Sequence, residues 1–119
     1  MLTLYGYAKC STCRKARAWL DQAGRDHRFV DITTDPPDRA TLGRILEVEE
    51  DITLPQLFNR SGQEYRRLGM KDRLPTMEVD EALELLAGNG RLVKRPIVTD
   101  GRRFTVGFSE AAFEERWGD

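Results

Sequence analysis

The chain has 119 residues, of which 39% are apolar, and this is enough for one domain with its own core. Its 19 lysines and arginines are balanced by 20 aspartates and glutamates, so no overall charge attracts nucleic acid or an anionic membrane. No apolar run approaches the roughly 20 residues that cross a bilayer, and the first residues lack the features of a secretory signal. We therefore expect one monomeric, cytoplasmic domain over residues 1–119, with no direct nucleic-acid or membrane partner.

Residues 2–32 have the pattern of a strand, a helix and a second strand. The β-favouring segment 2–6 runs into a glycine and predicts the first strand. The helix is indicated by apolar residues at i, i+3, i+4 and i+7, namely Ala16, Trp19, Leu20 and Ala23. Gly24 follows where a C-terminal cap is expected. Apolar alternation over 27–32 predicts a second strand, which a helical crossover makes parallel to the first.

The middle of the chain, from about residue 36 to 90, is predicted to be a helical insertion. Asp35-Pro36-Pro37-Asp38 sets the turn into a helix that carries Leu42, Ile45 and Leu46 on one face. Leu54 to Phe58 indicates a short helical piece, and residues 59–62 a loop. A further helix is indicated by apolar residues at helical spacing before Gly88-Asn89-Gly90, namely Val79, Ala82, Leu83 and Leu86.

The end of the chain predicts a hairpin and a last helix. Residues 92–98 indicate a strand that is interrupted by Pro96, and Asp100-Gly101 separates it from a second strand over 104–108. Ser109 can accept a hydrogen bond from the first turn of a helix in which Phe113 and Trp117 share one face. The order βαβ, helices, ββα predicts an α/β fold.

The two cysteines, Cys10 and Cys13, stand where the first strand meets the first helix. The helix N-terminus stabilises a thiolate on the first cysteine, and Lys9, Arg14 and Lys15 add positive charge nearby. We therefore predict that Cys10 is the nucleophile and Cys13 the resolving thiol of a redox pair.

The pair has two other interpretations, two buried residues without chemistry or a zinc site. The interpretation that both cysteines are only small buried residues is disfavoured, because Ser11, Thr12 and their neighbours make the loop polar. Zinc is disfavoured because a tetrahedral site needs four Cys or His ligands, and the single histidine, His27, lies in a strand without a partner at ligand spacing. We interpret His27 as an exposed strand residue and expect no metal.

A Cys-x-x-Cys motif beside a βαβ unit, with a later hairpin that contains proline, is typical of the thioredoxin-like fold. In that fold an X-Pro bond of the hairpin lies beside the cysteine loop in the cis form. Arg95-Pro96 is the candidate bond, and we predict that it is cis and places Arg95 near Cys10.

Five segments of the chain together resemble one known group, the arsenate reductase-like ArsC/Spx/YffB family. The segments are Cys10 to Leu20, Asn59-Arg60-Ser61, Tyr65 to Leu68, Lys94 to Val98, and Val106 to Ser109. The first is most similar to the Spx and MgsR branch, which has Cys-x-x-Cys followed by the same Arg-Lys-Ala-Arg stretch. The resemblance implies a thioredoxin-like βαβ and ββα fold with a helical insertion between the two halves.

The resemblance also points to two functions known in the family, arsenate reduction and redox-controlled regulation. Arsenate reductases of the family use a cysteine that matches Cys10 and three arginines, of which Arg95 matches one. The second falls at Asn59 or Arg60 and the third at Gly107, so we expect arsenate to be a poor substrate. Spx-type regulators bind the C-terminal domain of the RNA polymerase α subunit and switch when the cysteine pair oxidises.

We expect first a thiol-disulfide oxidoreductase, in which Arg95 stabilises the Cys10 thiolate or an anionic substrate. Glutathione or thioredoxin would reset the pair, and no cofactor would stay bound. A redox-controlled regulator of the Spx type is the alternative, and a true arsenate reductase or an inactive relative is a weaker one.

Overall fold

A four-stranded sheet forms the centre of the computed structural model, which describes residues 1–118. In chain order the strands are β1 (Leu2–Gly6), β2 (His27–Asp31), β3 (Ile97–Thr99) and β4 (Phe104–Val106). Their order in the sheet is β2-β1-β3-β4. Strand β1 is parallel to β2 and antiparallel to β3, which is antiparallel to β4. The predicted parallel βαβ unit and C-terminal hairpin are therefore confirmed.

In the described part of the chain, six α-helices surround the sheet: α1 (Ser11–Gln22), α2 (Arg39–Val48), α3 (Gln63–Arg67), α4 (Met70–Arg73), α5 (Val79–Ala87) and α6 (Glu110–Trp117). Short 3-10 helices cover Leu54–Leu57, Leu74–Thr76 and Gly90–Leu92. The apolar periodicity predicted α1, α2, α5 and α6, whereas α3 and α4 are too short for a periodic signal. Within residues 1–118, none of the helices has the length and apolar character of a membrane span.

The two faces of the sheet bury two separate apolar clusters, because successive residues of a strand point to opposite sides. Leu4 and Val98 face α1 and α6, and pack with Phe113 and Trp117. Ile97, the neighbour of Val98, faces the helical insertion. The cysteine loop follows the end of β1 at Gly6 and leads into α1.

The segment 92–98 is not one continuous strand, and this part of the sequence prediction is wrong. Residues 90–92 form a 3-10 helix, and β3 begins only at Ile97. The backbone polar groups before Pro96 pair with the insertion instead of the sheet. The Asn59 N–H donates to the Leu92 carbonyl at 2.7 Å, and the Lys94 N–H donates to the Leu57 carbonyl at 2.8 Å.

The second hairpin strand is also shorter than predicted, since β4 ends at Val106 and not at Phe108. Gly107 has a positive φ of 83°, which turns the chain out of the extended conformation. Its N–H donates to the Pro96 carbonyl at 2.8 Å and thereby closes the end of the hairpin.

His27 is not the exposed strand residue that we predicted, because its side chain is only 6% exposed. The strand pleat places it on the same side as Phe29, which packs against the α1 and α6 cluster. Its Nδ1 lies 3.3 Å from the Arg25 carbonyl and 3.9 Å from an Asp21 carboxylate oxygen.

A buried carboxylate joins the insertion to the opposite edge of the sheet. Glu49, directly after α2, is only 5% exposed. It accepts from the backbone N–H of Phe104 at 2.9 Å and from Arg116 of α6 at 2.6 Å. The Glu49 side chain thus links β4 and α6 to the helical insertion.

Gly90 is required by a close backbone approach, and we predict that Gly90→Ala destabilises the protein. A Cβ at position 90 would lie 1.7 Å from the Ile32 carbonyl oxygen, so the 3-10 helix would have to move off β2. The free energy of unfolding in urea should fall by about 3 kcal/mol. Gly43→Ala is the matched control, since its Cβ would meet Leu83 at an ordinary 3.6 Å and alanine favours the helix. A Gly90→Ala variant as stable as Gly43→Ala would contradict the prediction.

Candidate active site

Cys10 is the N-cap of α1. Its φ and ψ of -81° and 118° are extended, so the chain leaves β1 and turns into the helix at this residue. The Cys10 sulfur accepts from the Cys13 backbone N–H at 3.3 Å, in the role that a serine or aspartate side chain usually has. The Cys10 N–H donates to the Tyr7 carbonyl at 3.0 Å, which closes the loop. The helix therefore directs at the Cys10 sulfur an N–H group that has no partner within the helix.

Cys13 occupies a very different environment one turn further on. It is 1% exposed, whereas Cys10 is only partly buried, and both are free thiols. Gly6 makes this burial possible, because a Cβ at position 6 would lie 3.0 Å from the Cys13 sulfur. A molecule in solution can therefore reach the Cys10 sulfur but not the Cys13 sulfur.

The two thiols have opposed acidities. Partial burial disfavours ionisation of Cys10, but hydrogen bonding from Cys13 and the Arg95 guanidinium outweigh it, so the pKa of Cys10 lies below its ordinary value. Burial and the adjacent Cys10 sulfur raise the pKa of Cys13 to about 12. Cys10 is thus the thiol that ionises first, as expected for a nucleophile.

Arg95 reaches the cysteine loop from the chain that enters β3. The Arg95-Pro96 bond is cis, as predicted. The guanidinium carbon lies 5.7 Å from the centre of the Tyr7 ring, and Tyr7 directly precedes the cysteine loop. Among residues 1–118, no carboxylate lies within ion-pair distance of Arg95. Its charge is thus available to a thiolate or an anionic substrate.

A cleft of about 280 Å³ opens beside Arg95, and we call it the arginine cleft. Its lining includes Tyr7, Thr33, Asn59, Glu64, Arg91 and Arg95. Two arginines, a carboxylate and an amide therefore converge within reach of the cysteine loop. The sequence analysis named Asn59 as a candidate oxyanion position, and it assigned no role in this cleft to Tyr7, Glu64 or Arg91. No local motif marks these residues, because they come from four separate segments.

Arg60 is not in the arginine cleft. It is exposed and lines a separate cleft of about 340 Å³ together with Lys94 and Ser61. Lys94 also borders a cleft of about 570 Å³ that includes Thr12 and Gly107. A Cβ at position 107 would lie 3.6 Å from the Lys94 Cε, so a lysine occupies the space into which a side chain at 107 would extend. Lys94 and Arg95 thus line different clefts.

The remaining residues that we expected to support Cys10 lie around the loop. Lys9, Ser11 and Arg14 are exposed and Thr12 is partly buried. The cation that lowers the pKa of Cys10 is Arg95, which comes from a distant part of the sequence, and not Lys9 or Arg14. The catalytic roles of Cys10, Cys13 and Arg95 stay a prediction.

The strand order, the cysteine pair at the start of α1 and the helical insertion define a thioredoxin-like protein of the arsenate reductase-related type. The model of the ArsC family matches residues 5–116, so the chain belongs to the ArsC family.

Similar proteins include both regulators and a suspected enzyme. The protein YusI of Bacillus subtilis is 47% identical over 98% of each chain. The global transcriptional regulator Spx of Enterococcus faecalis is 39% identical over 92% of this chain and 81% of its own length. The crystal structure of a possible arsenate reductase from Streptococcus mutans has a TM-score of 0.86, with 40% identity over 96% of this chain and 98% of that one.

We predict that Arg95→Gln raises the pKa of Cys10, because it removes the cation that stabilises the thiolate. Near neutral pH less thiolate is then present, and alkylation of Cys10 should slow by roughly two- to tenfold. Alkylation rates measured across a pH series give the pKa. The control is Arg102→Gln, which removes the same charge from the loop at the far end of β3 and β4. Equal pKa values for Cys10 in the wild type and Arg95→Gln would contradict this role of Arg95.

Proposed function

We propose that the protein is a thiol-disulfide oxidoreductase with Cys10 as nucleophile and Cys13 as resolving thiol. The observation that carries this proposal is the opposed acidity of two adjacent thiols, one partly exposed with a lowered pKa and one buried with a raised pKa. A binding module needs no such difference between its cysteines. We expect the protein to act as a cytoplasmic monomer without a bound cofactor.

In the proposed reaction the Cys10 thiolate attacks one sulfur of a disulfide RS–SR′. A Cys10–S–S–R bond forms and R′S⁻ leaves. Because Cys10 is then no longer charged, one of the causes that raise the pKa of Cys13 disappears. Cys13 loses its proton and attacks the Cys10 sulfur, which releases RS⁻ and leaves a Cys10–Cys13 disulfide. Two electrons have passed to the substrate, and glutathione or thioredoxin returns two electrons to the protein.

We predict that Cys13→Ser accumulates mixed disulfides at Cys10, because the buried resolving thiol is missing. Intact-mass measurement after exposure to a disulfide should show one stable adduct per chain. The wild type should show the internal disulfide instead, and Cys10→Ser should form no adduct at a comparable rate because Cys13 is buried. A rapid adduct on Cys13 in the Cys10→Ser variant would reverse the two roles. Capture of mixed disulfides from cell extract with Cys13→Ser then identifies the substrate.

A redox-controlled regulator is the second candidate, and the similarity to Spx over 92% of this chain favours it. In this function the same disulfide forms, but no substrate turns over. The partner would be the C-terminal domain of the RNA polymerase α subunit, bound by the oxidised protein only. Binding measured with the oxidised protein and with Cys13→Ser separates the two functions.

We predict that arsenate reduction is much slower than disulfide reduction. Gly107 has no side chain to donate, and Arg60 lies outside the arginine cleft. Each missing charge-assisted hydrogen bond costs about 1.5 to 3 kcal/mol of binding. The measurement compares arsenate and disulfide turnover with glutathione and thioredoxin systems as reductants. Arsenate turnover as fast as disulfide turnover would show that Arg91 or Lys94 replaces the missing arginines.

A further inference from the structure

Tyr7 and Arg95 lie opposite each other just beyond the paired ends of β1 and β3. The last antiparallel partners of these strands are Tyr5 and Ile97, and two further steps in the same register pair position 7 with position 95. The two side chains are neighbours, with the Arg95 guanidinium carbon 5.7 Å from the centre of the Tyr7 ring. Residues that face each other on antiparallel strands have neighbouring side chains. The pairing of the sheet therefore accounts for this contact.

The contact has the geometry of a cation–π interaction. A guanidinium within about 6 Å of the centre of an aromatic ring is attracted by the negative face of the ring. Both side chains are half-buried, and partial exclusion of water strengthens the attraction. Arg67, Arg103 and Arg116 are each held by a carboxylate. In residues 1–118 no carboxylate lies within ion-pair distance of Arg95, so the Tyr7 ring supplies the attraction instead.

An aromatic ring and a carboxylate would affect the nearby Cys10 sulfur in different ways. A carboxylate beside Arg95 would also bring a negative charge close to Cys10 and would oppose ionisation of its thiol. The Tyr7 ring attracts the guanidinium without a net charge of its own, so the positive charge of Arg95 is not neutralised. An arginine side chain without any partner would occupy many rotamers and spend part of its time in solvent. The ring therefore restricts Arg95 and leaves its charge available to the sulfur.

The backbone of Tyr7 fixes the position of the ring relative to the cysteine loop. The Tyr7 carbonyl accepts the Cys10 N–H at 3.0 Å, and Cys10 is the N-cap of α1. Burial of Cys10 disfavours its thiolate, but hydrogen bonds from Cys13, together with the hydrogen bond and the charge of Arg95, lower the pKa of Cys10. The ring that attracts Arg95 and the sulfur on which Arg95 acts thus belong to the same turn of the chain.

We propose that Tyr7 is a positioning residue for the cysteine pair, and that its ring holds the Arg95 guanidinium beside the Cys10 sulfur through a cation–π contact. No bond to Tyr7 forms or breaks during disulfide exchange. Tyr7 acts through Arg95, because the cation is already in place when the Cys10 thiol loses its proton. The role of Tyr7 in exchange rests on the proposed function, whereas its effect on Cys10 can be measured on the protein alone.

The first experiment measures alkylation of Cys10 by iodoacetamide, an uncharged reagent, across a pH series. Tyr7→Leu removes the ring, so the pKa of Cys10 should rise and alkylation near neutral pH should slow roughly two- to fivefold. The rates should converge with those of the wild type at pH values above both pKa values. Tyr7→Phe retains the ring and should restore the wild-type profile. Tyr65→Leu is the matched control, since it removes another half-buried tyrosine ring, which packs against Phe58.

A second experiment separates the charge distribution of the ring from its shape. Pentafluorophenylalanine in place of Tyr7 keeps the shape of a phenyl ring but reverses the charge distribution of its face, so the pKa of Cys10 should rise as in Tyr7→Leu. A ring that only fills space would behave as in Tyr7→Phe. In the Arg95→Gln background, Tyr7→Leu should have no further effect, because the cation that the ring holds is already absent. The fluorinated protein keeps the test decisive if Tyr7→Leu does not fold.

The outcomes distinguish the positioning role from the proposed function, which is tested by reduction of hydroxyethyl disulfide. The positioning role is wrong if the fluorinated protein has the wild-type pKa of Cys10, or if Tyr7→Leu slows alkylation equally with and without Arg95. It is also wrong if Tyr7→Phe slows alkylation as much as Tyr7→Leu does. In each of these cases disulfide reduction by the wild type still supports the oxidoreductase. If alkylation depends on the ring as expected but the wild type reduces no disulfide, the positioning role stands and the oxidoreductase is wrong.

Discussion

The site depends on two backbone hydrogen bonds that join the helical insertion to the chain entering β3. They connect Asn59 to Leu92 and Lys94 to Leu57, and they hold the segment before Pro96 away from the sheet. Because consecutive residues of an extended chain point to opposite sides, Lys94 and Arg95 enter different clefts. Arg95 is the one of the two whose charge lowers the pKa of Cys10. This pairing places Asn59 of the insertion beside the segment that carries Arg95, and both residues line the arginine cleft.

Tertiary packing makes the two cysteines different, although the motif itself is symmetric. Cys10 caps α1 and receives a backbone N–H, while Cys13 points into the space that Gly6 leaves at the end of β1. Desolvation of Cys13 and stabilisation of the Cys10 thiolate therefore act in opposite directions on the two pKa values. The Cys10 thiol is accessible and ionises first, whereas the Cys13 thiol is buried. This order is what a two-step exchange of disulfides requires.

The helical insertion, which lines part of the arginine cleft, is also held at the far edge of the sheet. The buried Glu49 carboxylate binds Phe104 and Arg116, so the insertion contacts both β4 and α6. A buried ion pair contributes little net stability, but the loss of one partner is costly because it leaves the other charge buried and unpaired. Glu49 stands in an acidic run with Glu47, Glu50 and Asp51, and nothing in the local sequence tells which carboxylate is buried.

Local pattern determined the strands β1 and β2, the longer helices and the cysteine pair, because these depend on periodicity and on the strand-to-helix junction. The proline in the predicted hairpin, together with a resemblance that covers nearly the whole chain, also located Arg95-Pro96. The partners of residues 92–94 and the burial of His27 depend on which segment lies opposite, and that is a property of the packed chain. Only the tertiary structure could assemble the arginine cleft, because Tyr7, Glu64 and Arg91 are far apart in sequence and become neighbours through the packing of separate elements.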